Sequence, residues 1–187
     1  MRQKTLIIMV KEPRSGLVKT RLGRGIGMAG AAWWYRHQLS RLFRRLDDPR
    51  WKTVLAVAPD RACLSRAFPA HLPRIPQGNG DLGDRMARSL AIAPGSAVLI
   101  GSDIPGIEPT HIWQAFRALA DHASVIGPAP DGGFWLVGLA HPARAPKAMF
   151  KGVPWSAPNT LEKTRPTLPH PLADIDTLAD VDTAADL

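Results

Sequence analysis

The sequence predicts an α/β protein: a three-layer α/β/α sandwich around a mostly parallel sheet, carried by residues 1–187 as one domain. Three observations lead there. Thr5–Val10, Thr53–Ala58 and Ala97–Gly101 are continuous β-prone apolar runs without polar alternation, as strands covered on both faces require. The segments between them carry the apolar spacing of amphipathic helices. A length of 187 residues suits one self-sufficient core and is short for two.

The first run, Thr5-Leu-Ile-Ile-Met-Val10, leads into a polar loop with Pro13 and Gly16. From Ala29 to about Leu46, the residues Trp33, Trp34, His37, Leu39, Leu42, Phe43 and Leu46 recur at helical spacing. Arg36, Arg41, Arg44 and Arg45 are left for the wet face, and Asp47-Asp48-Pro49 ends the helix. Thr53–Ala58 follows as a strand, then Arg61 to Phe68 as a short helix closed by Pro69. Gly78-Asn-Gly-Asp-Leu-Gly83 is a loop opening a helix through about Ala93, and Pro94-Gly95 turns the chain into Ala97–Gly101. Pro109, behind Glu108, begins a helix over Thr110 to Asp121 with Ile112, Trp113, Phe116 and Leu119 on one face. Ser124–Gly127 and Gly133–Leu139 are two further strands, and the proline-rich residues 140–170 cross irregularly with a helix near Ala157 to Arg165. The tryptophans, Trp33 and Trp113 above all, are expected in the core. Exposed tryptophans on the first long helix would instead point to a homodimer.

The chain carries 24 Lys plus Arg against 16 Asp plus Glu, a net charge of +8, but unevenly. Residues 1–50 hold 12 basic and 3 acidic side chains, whereas residues 167–187 hold no Lys or Arg and five Asp. Such asymmetry fits a nucleic-acid partner, an anionic small substrate, or solubility alone. The apolar run Leu6–Val10 is too short for a membrane span or a signal-peptide core, so the protein is expected in the cytoplasm with no membrane partner. The single cysteine, Cys63, excludes an intrachain disulfide and a cysteine-based zinc cage. The six histidines show no metal-ligand spacing.

In open α/β sheets ligands bind beyond the carboxyl ends of the strands. Four segments stand there. Lys11-Glu-Pro-Arg14-Ser-Gly16-Leu-Val-Lys19-Thr20-Arg21 offers four cations, a glycine and a threonine around a turn, the chemistry of a phosphate cradle. It is not a Walker A loop, since Val18 precedes the lysine. Gly101-Ser102-Asp103-Ile104-Pro105 can offer the Asp103 carboxylate to Mg²⁺ or Mn²⁺, or simply cap the next turn. Pro130-Asp131-Gly132-Gly133 allows close backbone approach to a ligand with Asp131 as a base, against the plainer reading of a tight turn. Gly78 to Arg85 can admit a base or sugar beside Gly80, Asp81 and Arg85, or use Asp81 as a helix N-cap. The acidic tail adds Asp174, Asp176, Asp180, Asp182 and Asp186, of which one or two could return to a metal.

Taken in order, Met9-Val-Lys11-Glu-Pro13-Arg-Ser-Gly16-Leu-Val-Lys19-Thr20-Arg21-Leu22, Gly78-Asn-Gly80-Asp81-Leu-Gly83-Asp-Arg85-Met86, Gly101-Ser102-Asp103-Ile-Pro105-Gly106, Gly127-Pro128-Ala-Pro-Asp131-Gly132-Gly133-Phe134 and Asp174-Ile-Asp176-Thr177 resemble the DUF2064 group. These are small glycosyltransferase-A-like bacterial proteins of the GT-A, or nucleotide-diphospho-sugar transferase, fold. The resemblance implies that Lys19 and Arg21 hold nucleotide phosphates, with Lys11, Arg14, Gly16 and Thr20 in the same cradle. It places Asp103 as the metal-binding aspartate, with Asp176 as a second contact. Gly80, Asp81 and Arg85 would border the nucleoside, and Asp131, Gly132 and Gly133 the sugar or acceptor. Ser102-Asp103-Ile104-Pro105 is not the D-x-D sequence of many GT-A enzymes.

The expected function is therefore transfer of a sugar from a nucleotide-diphospho-sugar to a small acceptor, with Mg²⁺ or Mn²⁺, Lys19 and Asp131 as the catalytic groups. The alternative is a nucleotidyltransferase joining an NTP to a phosphorylated small molecule with release of pyrophosphate. A non-catalytic nucleic-acid-binding domain is the weakest of the three, because no helix-turn-helix, RRM or OB pattern occurs.

Overall fold

The computed structural model describes residues 3–181 and 183. Seven strands form one sheet: β1 (Thr5–Lys11), β2 (Lys52–Ala58), β3 (Arg74–Pro76), β4 (Ala97–Ile100), β5 (Ser124–Pro128), β6 (Phe134–Leu139) and β7 (Leu172–Asp174). Their spatial order is β3-β2-β1-β4-β6-β5-β7. All neighbours are parallel except β6, which runs antiparallel to β4 and β5. The sheet is mostly parallel, as expected.

The helices are α1 (Thr20–Ile26), α2 (Met28–Arg45), α3 (Leu82–Ala91), α4 (Pro109–Ala118) and α5 (Thr160–Thr164). Successive residues of a strand face opposite sides, and β1 shows the consequence. Leu6, Ile8 and Val10 join α2 and α4 in one core, with Tyr35, Leu39, Leu42, Ile112 and Phe116. Ile7 joins α3 in the other, with Met86, Leu90, Met149, Phe150 and Leu168. The result is the predicted three-layer sandwich, with a core on each face of the sheet.

The structure departs from the sequence reading locally. The polar loop after β1 contains α1, which holds two glycines and no apolar period, and is retained by burial of Leu22. β3 and β7, three residues each, carry too little pattern to be read as strands. The helix expected over Arg61–Phe68 is a single 3₁₀ turn, Asp60–Leu64. That expected over Ala157–Arg165 shortens to α5 followed by a 3₁₀ turn. Trp33 is not in the core: it is 64% exposed, lying against His37 on the outer face of α2. Among the described residues, no helix is long and apolar enough to cross a membrane.

Candidate active site

A cleft of about 780 Å³ opens beyond the carboxyl ends of β1 and β4. Its most confined charge is Lys19. The residue takes a left-handed backbone conformation, φ 46°, at the start of α1, an arrangement that tertiary contacts must hold for a non-glycine residue. Its side chain is 8% exposed, and Nζ lies 2.6 Å from Asp103 Oδ2 and 3.9 Å from Asp180 Oδ2. Asp180 reaches this position because the Val181 N–H donates to the Asp103 carbonyl at 3.2 Å. Two carboxylates thus face one cation position. Hard oxygen donors in this number suit a divalent ion whose remaining ligands are water and substrate phosphates. Among the described residues, no three His, Cys, Asp or Glu side chains gather as a ready-made metal cage, here or elsewhere.

Buried polar contacts hold the two strand-end loops. The Lys11 N–H donates to Tyr35 Oη at 3.1 Å, and the same hydroxyl bonds Ser102 Oγ at 2.8 Å. Burial, the largest cause, pushes the Tyr35 phenol up to about 12, so it stays a neutral hydroxyl. Arg45, at the end of α2, donates to the Pro105 and Ile107 carbonyls and fixes the turn after Asp103.

At the other end, Gln77 follows β3 and lines the cleft. Its Nε2 donates to the Ala56 carbonyl at 2.8 Å and the Val10 carbonyl at 3.2 Å. The glycine loop beyond it is held by Arg88, on the Gln77 and Asn79 carbonyls, and by Asp60 Oδ1, which accepts from the Gly78 N–H at 2.9 Å. Gly80 has φ +103°, and a Cβ there would meet the Asp84 side chain. Asp81 caps α3: its Oδ1 accepts from the Asp84 N–H at 2.9 Å, while Asp84 Oδ2 accepts from the Asp81 N–H at 3.1 Å.

Of the residues expected at the site, the cleft brings together Lys11, Lys19, Thr20, Arg21, Gly80, Asp81, Arg85, Asp103, Asp131 and Gly133. Arg14 and Gly16 are not in its lining. Arg14 pairs with Glu12 at 2.8 Å and borders a separate hollow with Arg36 and Arg66. Gly132 is also outside, and its close backbone approach is to the protein itself: a Cβ would strike the Pro158 carbonyl, and Leu161 N–H donates to the Gly132 carbonyl at 2.8 Å. Asp131 makes a local turn, its Oδ1 accepting from the Gly133 N–H at 2.9 Å.

The acidic tail also sorts differently from the expectation. Asp176 is not in the cleft lining: its carboxylate lies 3.9 Å from His111 Nε2 and its carbonyl accepts from Trp135 Nε1 at 2.9 Å. Asp180 stands beside Lys19 instead. Asp182 and Asp186 lie outside the described residues. Sequence reasoning missed Tyr35, Ser102 and Gln77 as part of the cleft. Only Ser102, adjoining Asp103 after a strand, carried a local signal.

The sequence pattern described as "uncharacterized protein conserved in bacteria (DUF2064)" matches residues 41–157. The chain belongs to the DUF2064 family. No protein of curated function matches it. Among solved structures, a protein from Desulfovibrio desulfuricans G20, provisionally described as a nucleotide-diphospho-sugar transferase, is 30% identical. That likeness covers 98% of this chain and 84% of the other, with a TM-score of 0.83. The manganese complex of Rv0371c from Mycobacterium tuberculosis H37Rv is 15% identical over 98% of this chain and 95% of its own, TM-score 0.54. The 2-C-methyl-D-erythritol 4-phosphate cytidylyltransferase of Thermus thermophilus is 17% identical over 100% and 95%, TM-score 0.54. At such identities the last two likenesses concern the fold, which this DUF2064 chain shares.

Proposed function

We propose that this DUF2064 protein is a transferase that binds a nucleotide-diphospho-sugar in the cleft, with a divalent cation, and passes the sugar to a small acceptor. The observation that carries the reading is the Lys19 ammonium set between Asp103 and Asp180 at the carboxyl edge of the sheet. Support also comes from the description of the D. desulfuricans relative and from the manganese bound by the mycobacterial structure. Asp103 and Asp180 would hold a Mg²⁺ or Mn²⁺ ion in place of the Lys19 ammonium, freeing Lys19 for the phosphates, and the ion would stabilise charge gathering on the leaving diphosphate.

The chain's own groups do the rest. Lys11, Lys19 and Arg21 neutralise phosphate oxygens, which matters most as charge develops on the leaving group. Asp131 receives the acceptor hydroxyl proton on Oδ2, since Oδ1 is committed to the Gly133 N–H. Phe134 and Trp155, packed edge to face, supply an apolar wall that limits water around the reacting bond.

A second reading, nucleotidyl transfer from an NTP, is favoured by the number of cations. Lys11, Lys19, Arg21 and Arg85 all line the cleft, a set suited to a triphosphate. The T. thermophilus neighbour is named for such chemistry. Incubation with pools of NTPs and nucleotide-sugars separates the readings: free nucleoside diphosphate is expected for sugar transfer, pyrophosphate for nucleotidyl transfer. In either case Asp103→Asn is expected to abolish cation-dependent nucleotide binding while leaving the circular dichroism spectrum unchanged. Undiminished cation-dependent binding would remove Asp103 from the metal role.

A further inference from the structure

Gln77 presents the cleft with a polar atom that neither the phosphates nor the cation calls for. The residue is 4% exposed. Both partners of its Nε2 are main-chain carbonyls, which only accept, so the amide has a single compatible orientation. A flipped amide would press Oε1 against two carbonyl oxygens. The backbone is pinned as well, the Gln77 N–H donating to the Val57 carbonyl at 3.0 Å and its own carbonyl accepting from Arg88. With its donors committed to the sheet, Gln77 offers a ligand one rigid acceptor, Oε1. Among the described residues, that atom has no hydrogen-bond partner. Nor is it among the sealed, partnerless side-chain atoms, which among the described residues are Thr5 Oγ1, Gln38 Nε2 and Trp155 Nε1.

Its position suits the far end of a nucleotide. The amide straddles the ends of β1 and β2, whereas Asp103 follows β4 on the other side of β1. With strands spaced about 4.8 Å apart, the amide sits roughly 5–10 Å along the sheet edge from the Lys19–Asp103 pair. A nucleotide whose phosphates meet Lys19 therefore brings its base toward Gln77 and the glycine loop.

We propose that Gln77 determines base specificity: its Oε1 accepts from the 4-amino group of cytosine or the 6-amino group of adenine, so the cleft selects such a base over its keto counterpart, uracil or hypoxanthine. In uracil or hypoxanthine an oxygen replaces that amine and opposes Oε1, and the neighbouring ring N–H reaches the same acceptor only if the base shifts from the position the amine sets. Sites built to receive a donor reject analogues that lack it far more strongly than apolar pockets reject a change of size. This inference rests on the nucleotide reading above and adds the class of base to it.

The test compares equilibrium binding of CTP with UTP, and of ATP with ITP, to the full chain in Mg²⁺. The amino-bearing member of at least one pair is expected to bind about tenfold or more tightly, the size of effect that follows from leaving one buried acceptor unmatched. In Gln77→Met the preferred pair is expected to converge to within about twofold, the amino-bearing member weakening toward its keto counterpart. A tie between strands with no ligand role would not move that ratio. Equal affinities or keto preference in both wild-type pairs would overturn the proposal, as would selectivity persisting in folded Gln77→Met. If that variant does not fold, the wild-type comparison still decides. Nucleotide binding without base preference defeats this proposal alone, whereas binding of no nucleotide defeats the nucleotide reading with it.

Discussion

Tyr35 is the chain's one tyrosine, so its ionisation can be followed directly by phenolate absorbance. Burial raises its pKa from 10.0 to about 12, opposed by the Lys11 and Ser102 hydrogen bonds and assisted by the Asp103 charge. Because the folded state holds this proton more tightly than the unfolded state, the associated stability is intact below the unfolded value of 10.0. It is lost as pH rises toward about 12. The expected titration therefore has its midpoint near 12 in the folded protein, and a midpoint near 10 would show that the phenol is not buried. Tyr35→Phe should remove the signal and lower stability by about 1–2 kcal/mol in chemical denaturation, because the Lys11 N–H loses its acceptor. No local pattern marks Tyr35 as part of the cleft. Its helical spacing places it on the buried face of α2, and only the sheet it packs against puts its hydroxyl beneath Lys11 and Ser102.

The elements around the cleft are legible in the sequence in proportion to their local signal. α3 is legible because Asp81 caps it through the reciprocal bonds with Asp84 and its apolar face packs on the sheet. That helix carries Arg85 and Met86 into the cleft and sends Arg88 to the glycine loop. Asp81→Ala is expected to cost about 1 kcal/mol of stability in chemical denaturation and to weaken nucleotide binding, while Asp81→Asn retains the cap and most of both. Loss of binding in Asp81→Asn equal to that in Asp81→Ala would place the carboxylate on the ligand rather than on the helix. α1 is not legible. Thr20-Arg-Leu-Gly-Arg-Gly-Ile26 has poor helix propensity, and its conformation depends on seating Leu22 and packing Gly23 against Met28 of α2.

At the scale of the whole molecule, three of the 24 basic side chains serve as internal ties. Arg45 binds the carbonyls after Asp103, Arg88 those of the glycine loop, and Arg74 those of Cys63, Ser65, Phe68 and Pro69. The remaining charge borders the cleft or is spread over exposed faces. Mixed-sequence oligonucleotides are accordingly expected to show no saturable binding at physiological salt under conditions where mononucleotides bind. Tight, salt-sensitive oligonucleotide binding in a titration would contradict this. The sequence alone determined the α/β class, the long helices and the strand-end loops that hold Lys19, Asp103 and Asp131, because apolar runs, helical periodicity and Gly or Pro punctuation are local quantities. Tertiary structure alone decided which of those loops share one cleft. It set Asp180 beside Lys19 through the Val181–Asp103 main-chain bond and Asp176 beside His111, and placed Gln77 by bonds to two strands distant in sequence. Such choices depend on contacts between residues tens of positions apart, which no local pattern encodes.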